Sequence, residues 1–237
     1  LTDRPLAGRL ALVTGASRGI GAATAEALGK AGAHVLLTAR TAGGLEEVED
    51  RIHAAGGSAT IAPLNLVEGD SIGRLATAVS SRWQALDILV LNAATLGSLS
   101  PVPAIDGKEF ASVMTLNVLA QQTLLTAFDP LLRASGAASV IGVTSSVASA
   151  PRAYWGAYAA SKAALETLLL TYAEEVKAIS AIRVAILDPG ATATRMRARA
   201  YPGEDPATLK QPNAVADAIV DLIGQGFETG ERIKLPR

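Results

Sequence analysis

The stretch YWGAYAASK, residues 154–162, sets a phenol and an ammonium four residues apart, at Tyr158 and Lys162. On a helix, residues i and i+4 share a face, so the two groups would project side by side. A free phenol titrates near 10, too high for efficient acid–base work near neutrality. A cation beside it favours the phenolate and brings it into range. Such a pair could pass a proton to or from a carbonyl oxygen. The same spacing also occurs on ordinary surface helices, so the pair needs a structural context before it means chemistry.

A second stretch supplies one. TGASRGIG, residues 14–21, follows directly on an apolar strand pattern. Gly15, Gly19 and Gly21 fall where the strand must turn into a helix, where glycine permits unusual backbone angles and close approach of a ligand to the main chain. The helix beginning near Gly19 would offer free N–H groups and a positive dipole end to a phosphate. A tight turn that is glycine-rich for steric reasons alone is the bland alternative. Its position in the first βα unit, with a second strand to follow, argues for the phosphate cradle.

The elements that must position these residues can be read from the hydrophobic pattern. Strands are expected at 9–14, 34–39, 58–64, 86–92, 138–145, 182–188 and, more weakly, 231–235. Several are nearly continuous apolar runs, as in strands covered on both faces. Helices are expected at 19–31, 43–55, 69–83, 107–133, 157–178 and 213–223. This alternation predicts an α/β fold: one doubly wound, Rossmann-like domain spanning 1–237, with a seven-stranded parallel sheet and helices on both faces. No linker-like or repeated segment interrupts it.

The glycine spacing is Gly-x-x-x-Gly-x-Gly, YAASK reads Tyr-x-x-x-Lys, and VTSSV and TLNVLA lie upstream. In these motifs the chain resembles the short-chain dehydrogenase/reductases in their compact single-domain form, over nearly its whole length. YWGAYAASK together with RMRARAYPGEDPATLK looks like the YciK-type bacterial branch of that family. The resemblance implies hydride transfer between a nicotinamide dinucleotide and a ketone, aldehyde or alcohol, with Asn117, Ser146, Tyr158 and Lys162 as the active tetrad. Tyr158 would be the acid/base, Lys162 would lower its pKa and hold the ribose, Ser146 would bond the substrate oxygen, and Asn117 would anchor a water. Strand register favours Ser146, whereas distance to Tyr158 favours Ser145.

The resemblance also implies a dinucleotide site. It assigns Gly15, Ser17, Arg18, Gly19, Ile20 and Gly21 in the first turn, then Arg40, Asn65, Leu66, Asn92 and Ala93. Tyr158, Lys162, Pro189, Gly190, Thr192 and Thr194 complete it. An acid at the end of the second strand would bind the ribose hydroxyls of NAD. Here that strand ends LLTAR, with Ala39 at the acid position and Arg40 after it. Two guanidinium groups, Arg18 and Arg40, suit a 2′-phosphate, so NADP (NADPH) is expected over NAD. The chain departs from the family pattern at Asn65, where Asp is usual, at Leu91 and Ala94 in LNAA, and at Asp188, where Asn is frequent.

Composition limits the remaining readings. Hydrophobic residues make up 49% and charged residues 18%, enough to support a large core. The net charge of −1 gives no general attraction to nucleic acid or to an acidic membrane. There is no cysteine, and the two histidines, His34 and His53, lie in unrelated contexts, so no metal site is expected. The start, LTDRPLAGRLALVTG, carries no secretory signature and no initiator Met, and cytoplasmic residence is the expectation. Residues 191–212 are where the family places its substrate lid. The basic run Arg195, Arg197, Arg199 and Lys210 there would either attract an anionic substrate or acyl carrier, or be solvated and offset by Glu204 and Asp205. Tyr154 and Trp155 would wall the pocket, or else pack in the core or at an oligomer contact. Apolar faces on 107–133 and 157–178 suggest a homodimer or homotetramer. The alternatives to an enzyme acting on a small carbonyl compound are a non-catalytic dinucleotide sensor, which would need none of the tetrad, and an epimerase or dehydratase on the same scaffold.

Overall fold

Strands whose residues are apolar in unbroken runs are stable only when covered on both faces. That is how this chain arranges them in the structure, a computed structural model that describes residues 4–236. The strands are β1 (Leu10–Thr14), β2 (His34–Ala39), β3 (Ser58–Pro63), β4 (Ile88–Leu91), β5 (Ser139–Val143), β6 (Arg183–Asp188) and β7 (Glu231–Lys234). All pair in parallel, in the order β3-β2-β1-β4-β5-β6-β7. Alternate residues feed opposite cores. Ala11, Val13, Ala185 and Leu187 face one, and Leu10, Leu12, Val184 and Ile186 face the other. All seven expected strands are present, each within about two residues of the expected ends.

The first core is closed by α1 (Gly19–Lys30), α2 (Ala42–Ala54) and α8 (Pro212–Gln225), through Leu28, Leu45, Ile52, Val215 and Ile219. The second is closed by α3 (Ser71–Ser80), α5 (Ala120–Ala134) and α6 (Gly156–Val176), through Ile72, Leu124, Phe128, Leu165 and Leu169. Between them in sequence lie α4 (Gly107–Met114) and the short α7 (Arg195–Ala200). A Cβ on Gly142 of β5 would run into the Leu169 side chain. Glycine at that point lets α6 lie close against β5.

The expected single helix over 107–133 is corrected. It is divided into α4 and α5 by a π-helical segment, Thr115–Leu119, in which the Ala120 N–H bonds Thr115 O. One turn that takes in an extra residue leaves the apolar pattern nearly intact, so the sequence hides it. Such turns rotate a side chain out of the ordinary helical order, and here the residue inside the segment is Asn117. Among the described residues, no helix is long and apolar enough to cross a membrane. Two hollows around Arg9, one bordered by Ser139 and Arg183 and the other by His34 and Trp83, lie at the N-terminal edge of the sheet.

Candidate functional site

β1 lies between β2 and β4, so the winding reverses there and a crevice opens at the C-terminal ends of β1 and β4. The glycine-rich turn sits in that opening. Gly15 has φ +65° and Gly19 φ +58°, angles that side chains adopt only under strain. A Cβ on Gly15 would lie 3.0 Å from Asn92 Nδ2 and 3.1 Å from Ala93 Cα, and one on Gly21 would strike the Gly15 carbonyl oxygen. Arg18, at the extended residue before α1, provides no side-chain cap, so its side chain leaves the first-turn N–H groups to an anion. This cradle fits a pyrophosphate.

The crevice is fastened from below. The Thr14 hydroxyl donates to Val90 O at 3.1 Å and accepts from the N–H groups of Asn92 and Ala93 at 3.0 Å each. Asn92 Nδ2 donates to Thr14 O at 2.9 Å and Gly15 O at 3.4 Å. Ala93 O accepts from Gln121 Nε2 at 3.0 Å. Asn92 and Ala93 thus hold β4 to the glycine turn.

At the outer end of the crevice, Arg18 and Arg40 are exposed, and among the described residues neither is paired with a carboxylate. Ala39 leaves no acid beside them. Asn65 is half-buried, and its backbone oxygen takes the Ser71 hydroxyl at 2.8 Å. The Leu66 side chain is packed in the second core and Ile20 lies against the first. Leu66 is buried, whereas Ile20 is only half-buried. Ser17 is half-buried beside Gly44.

α6 brings Tyr158 and Lys162 to the inner end, one turn apart and both buried, with the ammonium 5.8 Å from the phenol ring centroid. Lys162 Nζ donates to Val143 O, the last residue of β5, at 2.8 Å. Burial pushes the Lys162 ammonium down to about 8, while the Glu166 carboxylate acts in the opposite sense. Burial pushes the Tyr158 phenol up, and the negative Asp188 adds to that. The expected lowering of the phenol rests on Lys162 together with the positive nicotinamide ring of the oxidised cofactor, whereas within the protein burial and Asp188 act in the opposite sense.

Asn117 is fully buried and its amide is committed. Nδ2 donates to Thr95 O and to Ser161 Oγ, both at 2.9 Å, and Oδ1 accepts from Thr95 N at 2.8 Å. Ser161 Oγ in turn donates to Tyr158 O at 2.8 Å. The side chain therefore ties the loop after β4 to α6. Ser145 and Ser146 follow β5, both half-buried, Ser145 extended and Ser146 opening the 3-10 turn Ser146–Ala148.

Beyond β6, Asp188 Oδ1 accepts from Gly190 N at 3.0 Å, and Gly190 takes φ +66° after Pro189. Lys210 Nζ donates to Pro189 O at 3.0 Å. The buried Thr192 donates its hydroxyl proton to Pro189 O at 3.2 Å, within the turn. Thr194 Oγ1 accepts from Arg197 N at 3.1 Å and caps α7, with its own proton still free to donate. Arg197 is not a free charge. Its guanidinium pairs with Glu204 through two contacts, one of 2.6 Å, and lies 3.9 Å from the Tyr201 ring centroid. The basic run is partly offset, as one of the two sequence readings held, while Arg195 and Arg199 stay exposed.

Trp155 turns inward, with its ring 6.0 Å from Tyr158 and 5.7 Å from Tyr201. Tyr154 does not pack in the core. It is exposed and held at φ +73°, a strained angle for a non-glycine residue. Leu96, Val147, Met196 and Ala200 complete the apolar surroundings of Tyr158. Of these wall residues, sequence reasoning singled out Trp155 alone. Tyr201, an aromatic inside a charged run, was the one available signal for the rest.

The sequence model of the short chain dehydrogenases matches residues 9–205. The uncharacterized oxidoreductase YciK of Escherichia coli K12 is 36% identical over 219 residues, 91% of this chain and 86% of its own. A short chain dehydrogenase structure from Salmonella enterica serovar Typhi superposes with a TM-score of 0.94 at 34% identity, covering 99% of this chain and 98% of its own. A Shigella flexneri 2a structure of the same description, complexed with NADP, gives 0.92 at 35% identity and 98% coverage of both chains. The expected family, branch and fold are borne out.

Proposed function

The chain belongs to the short chain dehydrogenase/reductase family of oxidoreductases, and from that premise we propose that it interconverts a ketone or aldehyde and an alcohol with NADP as cofactor. When bound, the dinucleotide supplies or accepts the hydride. The glycine turn and the open first turn of α1 hold its pyrophosphate, and the exposed Arg18 and Arg40 hold the 2′-phosphate. The NADP in the Shigella flexneri relative supports that choice. Tyr158 gives its proton to the substrate oxygen in reduction and takes it back in oxidation. Lys162 holds a positive charge beside the phenol, and Ser146, with Ser145 as the alternative, bonds the substrate oxygen. Asn117 fixes the loop after β4 against α6.

The observation that carries the reading is the pair of buried titratable groups, Tyr158 and Lys162, brought together at the mouth of the sheet and ringed by apolar side chains. A dinucleotide sensor has no use for a buried lysine beside a buried phenol, and burial of both opposes their charged forms. Residues 191–212 act as the substrate lid of one domain spanning the chain, and the protein resides in the cytoplasm as a homodimer or homotetramer.

The test is NADPH oxidation against a panel of ketones and aldehydes. Turnover by the wild type, and a loss of roughly a thousandfold or more in Tyr158→Phe with NADPH binding retained, is expected. Substantial activity in Tyr158→Phe removes the tyrosine from its role. NADPH binding without turnover of any carbonyl compound favours the sensor.

A further inference from the structure

Lys162 is fully buried, and burial disfavours its charge. Something must sustain that charge if it is to act on the phenol. The groups around it come from several elements. Val143 O of β5 accepts its hydrogen bond, Tyr158 lies one turn earlier on α6, Asp188 stands at the end of β6 near the phenol, and Arg232 projects from β7. One turn later on α6 is Glu166, on the same face as Lys162. It is not among the motif residues, yet its carboxylate is held in place from two sides. Thr144 Oγ1, next to the candidate serines, donates to Glu166 Oε1 at 2.6 Å, and Arg232 Nε stands 3.5 Å from Oε2. The carboxylate is only 13% exposed, so its field is weakly screened. Its contact with Arg232 is long and the arginine is 61% exposed, so solvent weakens that pairing.

We infer that Glu166 is a positioning residue of the reaction: it keeps the Lys162 ammonium charged inside the protein and fixes the end of β5, with its serines, against α6. This rests on the functional reading above for its catalytic consequence, though not for its electrostatic one. Glu166 touches neither substrate nor cofactor and acts through Lys162 and Thr144. A lysine buried without it would lose its proton at lower pH, and the phenol would lose its cationic neighbour sooner as pH rises.

The sign is fixed. Glu166 raises the pH at which Lys162 loses its proton, so removing the carboxylate lowers that pH. Glu166→Gln keeps the length and an acceptor for Thr144 but discards the charge. The 13Cε resonance of Lys162, followed against pH in both proteins, reads the lysine directly and needs no turnover. A midpoint lower by about one pH unit in Glu166→Gln is expected, and with it an alkaline limb of kcat/KM for ketone reduction displaced the same way. Glu166→Asp, which keeps the charge on a shorter arm, should leave the midpoint near that of the wild type. If Glu166→Gln does not fold, Glu166→Met, with similar length and helix preference, carries the same measurement. An unchanged lysine midpoint overturns the inference, as does a uniform loss of activity with no displacement of the limb. A wild type that reduces no carbonyl compound overturns the functional reading instead, and the lysine titration still decides the electrostatic one.

Discussion

Asp188 stands where the family often has Asn, and its place in the structure turns that difference into a measurable one. It accepts from Gly190 N and its charge helps push the Tyr158 phenol up. Asn at this position would keep the acceptor and lose the charge. The phenol of Asp188→Asn therefore ionises at lower pH than in the wild type. Alcohol oxidation, which needs the phenolate, rises with pH, so its rising limb should move to lower pH, as read from kcat/KM over a pH series. At the opposite end of the crevice, Arg40→Ala should raise the NADPH dissociation constant by about 10- to 100-fold, the worth of a charge-assisted phosphate contact, and leave NADH nearly untouched. Fluorescence titration with both dinucleotides checks this, and equal losses would disprove the phosphate pairing. Both effects start from residues visible in the sequence, Ala39 and Arg40 most of all. The burial that pushes the phenol up was not visible, because desolvation depends on what α7 and the loop after β4 lay over Tyr158.

The elements were legible to different degrees for a physical reason. A strand buried on both faces is apolar along its middle, so β1, β4 and β6 announce themselves. The π-helical segment around Asn117 does not, since TLNVLA reads as plain helix and only the long-range bonds to Thr95 and Ser161 show why the chain departs from it. Tyr201 was hidden in the same way, as its partners Trp155, Arg152 and Arg197 lie on separate segments or within a run of charges. The contact of Gly142 with Leu169 is a further case, and it predicts an outcome. Gly142→Ala overpacks the α6–β5 contact at a cost of about 1–3 kcal/mol, about 2–4 °C of melting temperature for each kcal/mol in a chain of this size. Because the Lys162 bond to Val143 crosses that contact, kcat should fall along with stability. Scanning calorimetry and steady-state rates on one preparation test the pair.

Across the whole molecule, large apolar side chains remain exposed on neighbouring elements: Phe110 on α4, Leu119 in the π-helical segment and Leu168 on α6. In the proposed homo-oligomer they would supply the contact surface. Leu119→Glu combined with Leu168→Glu should reduce the mass seen by light scattering to that of one chain at micromolar concentration, while a wild type that already scatters as a monomer excludes the assembly. The fastening of Thr14 to Val90, Asn92 and Ala93 has a consequence for traffic through the protein. Stitched at that seam, the left and right wings of the sheet are not built to spread like jaws around an incoming molecule. On the lid reading proposed above, admission would fall to a side hatch, the stretch bearing Met196 and Tyr201, and the swing of that hatch would set the pace of each round.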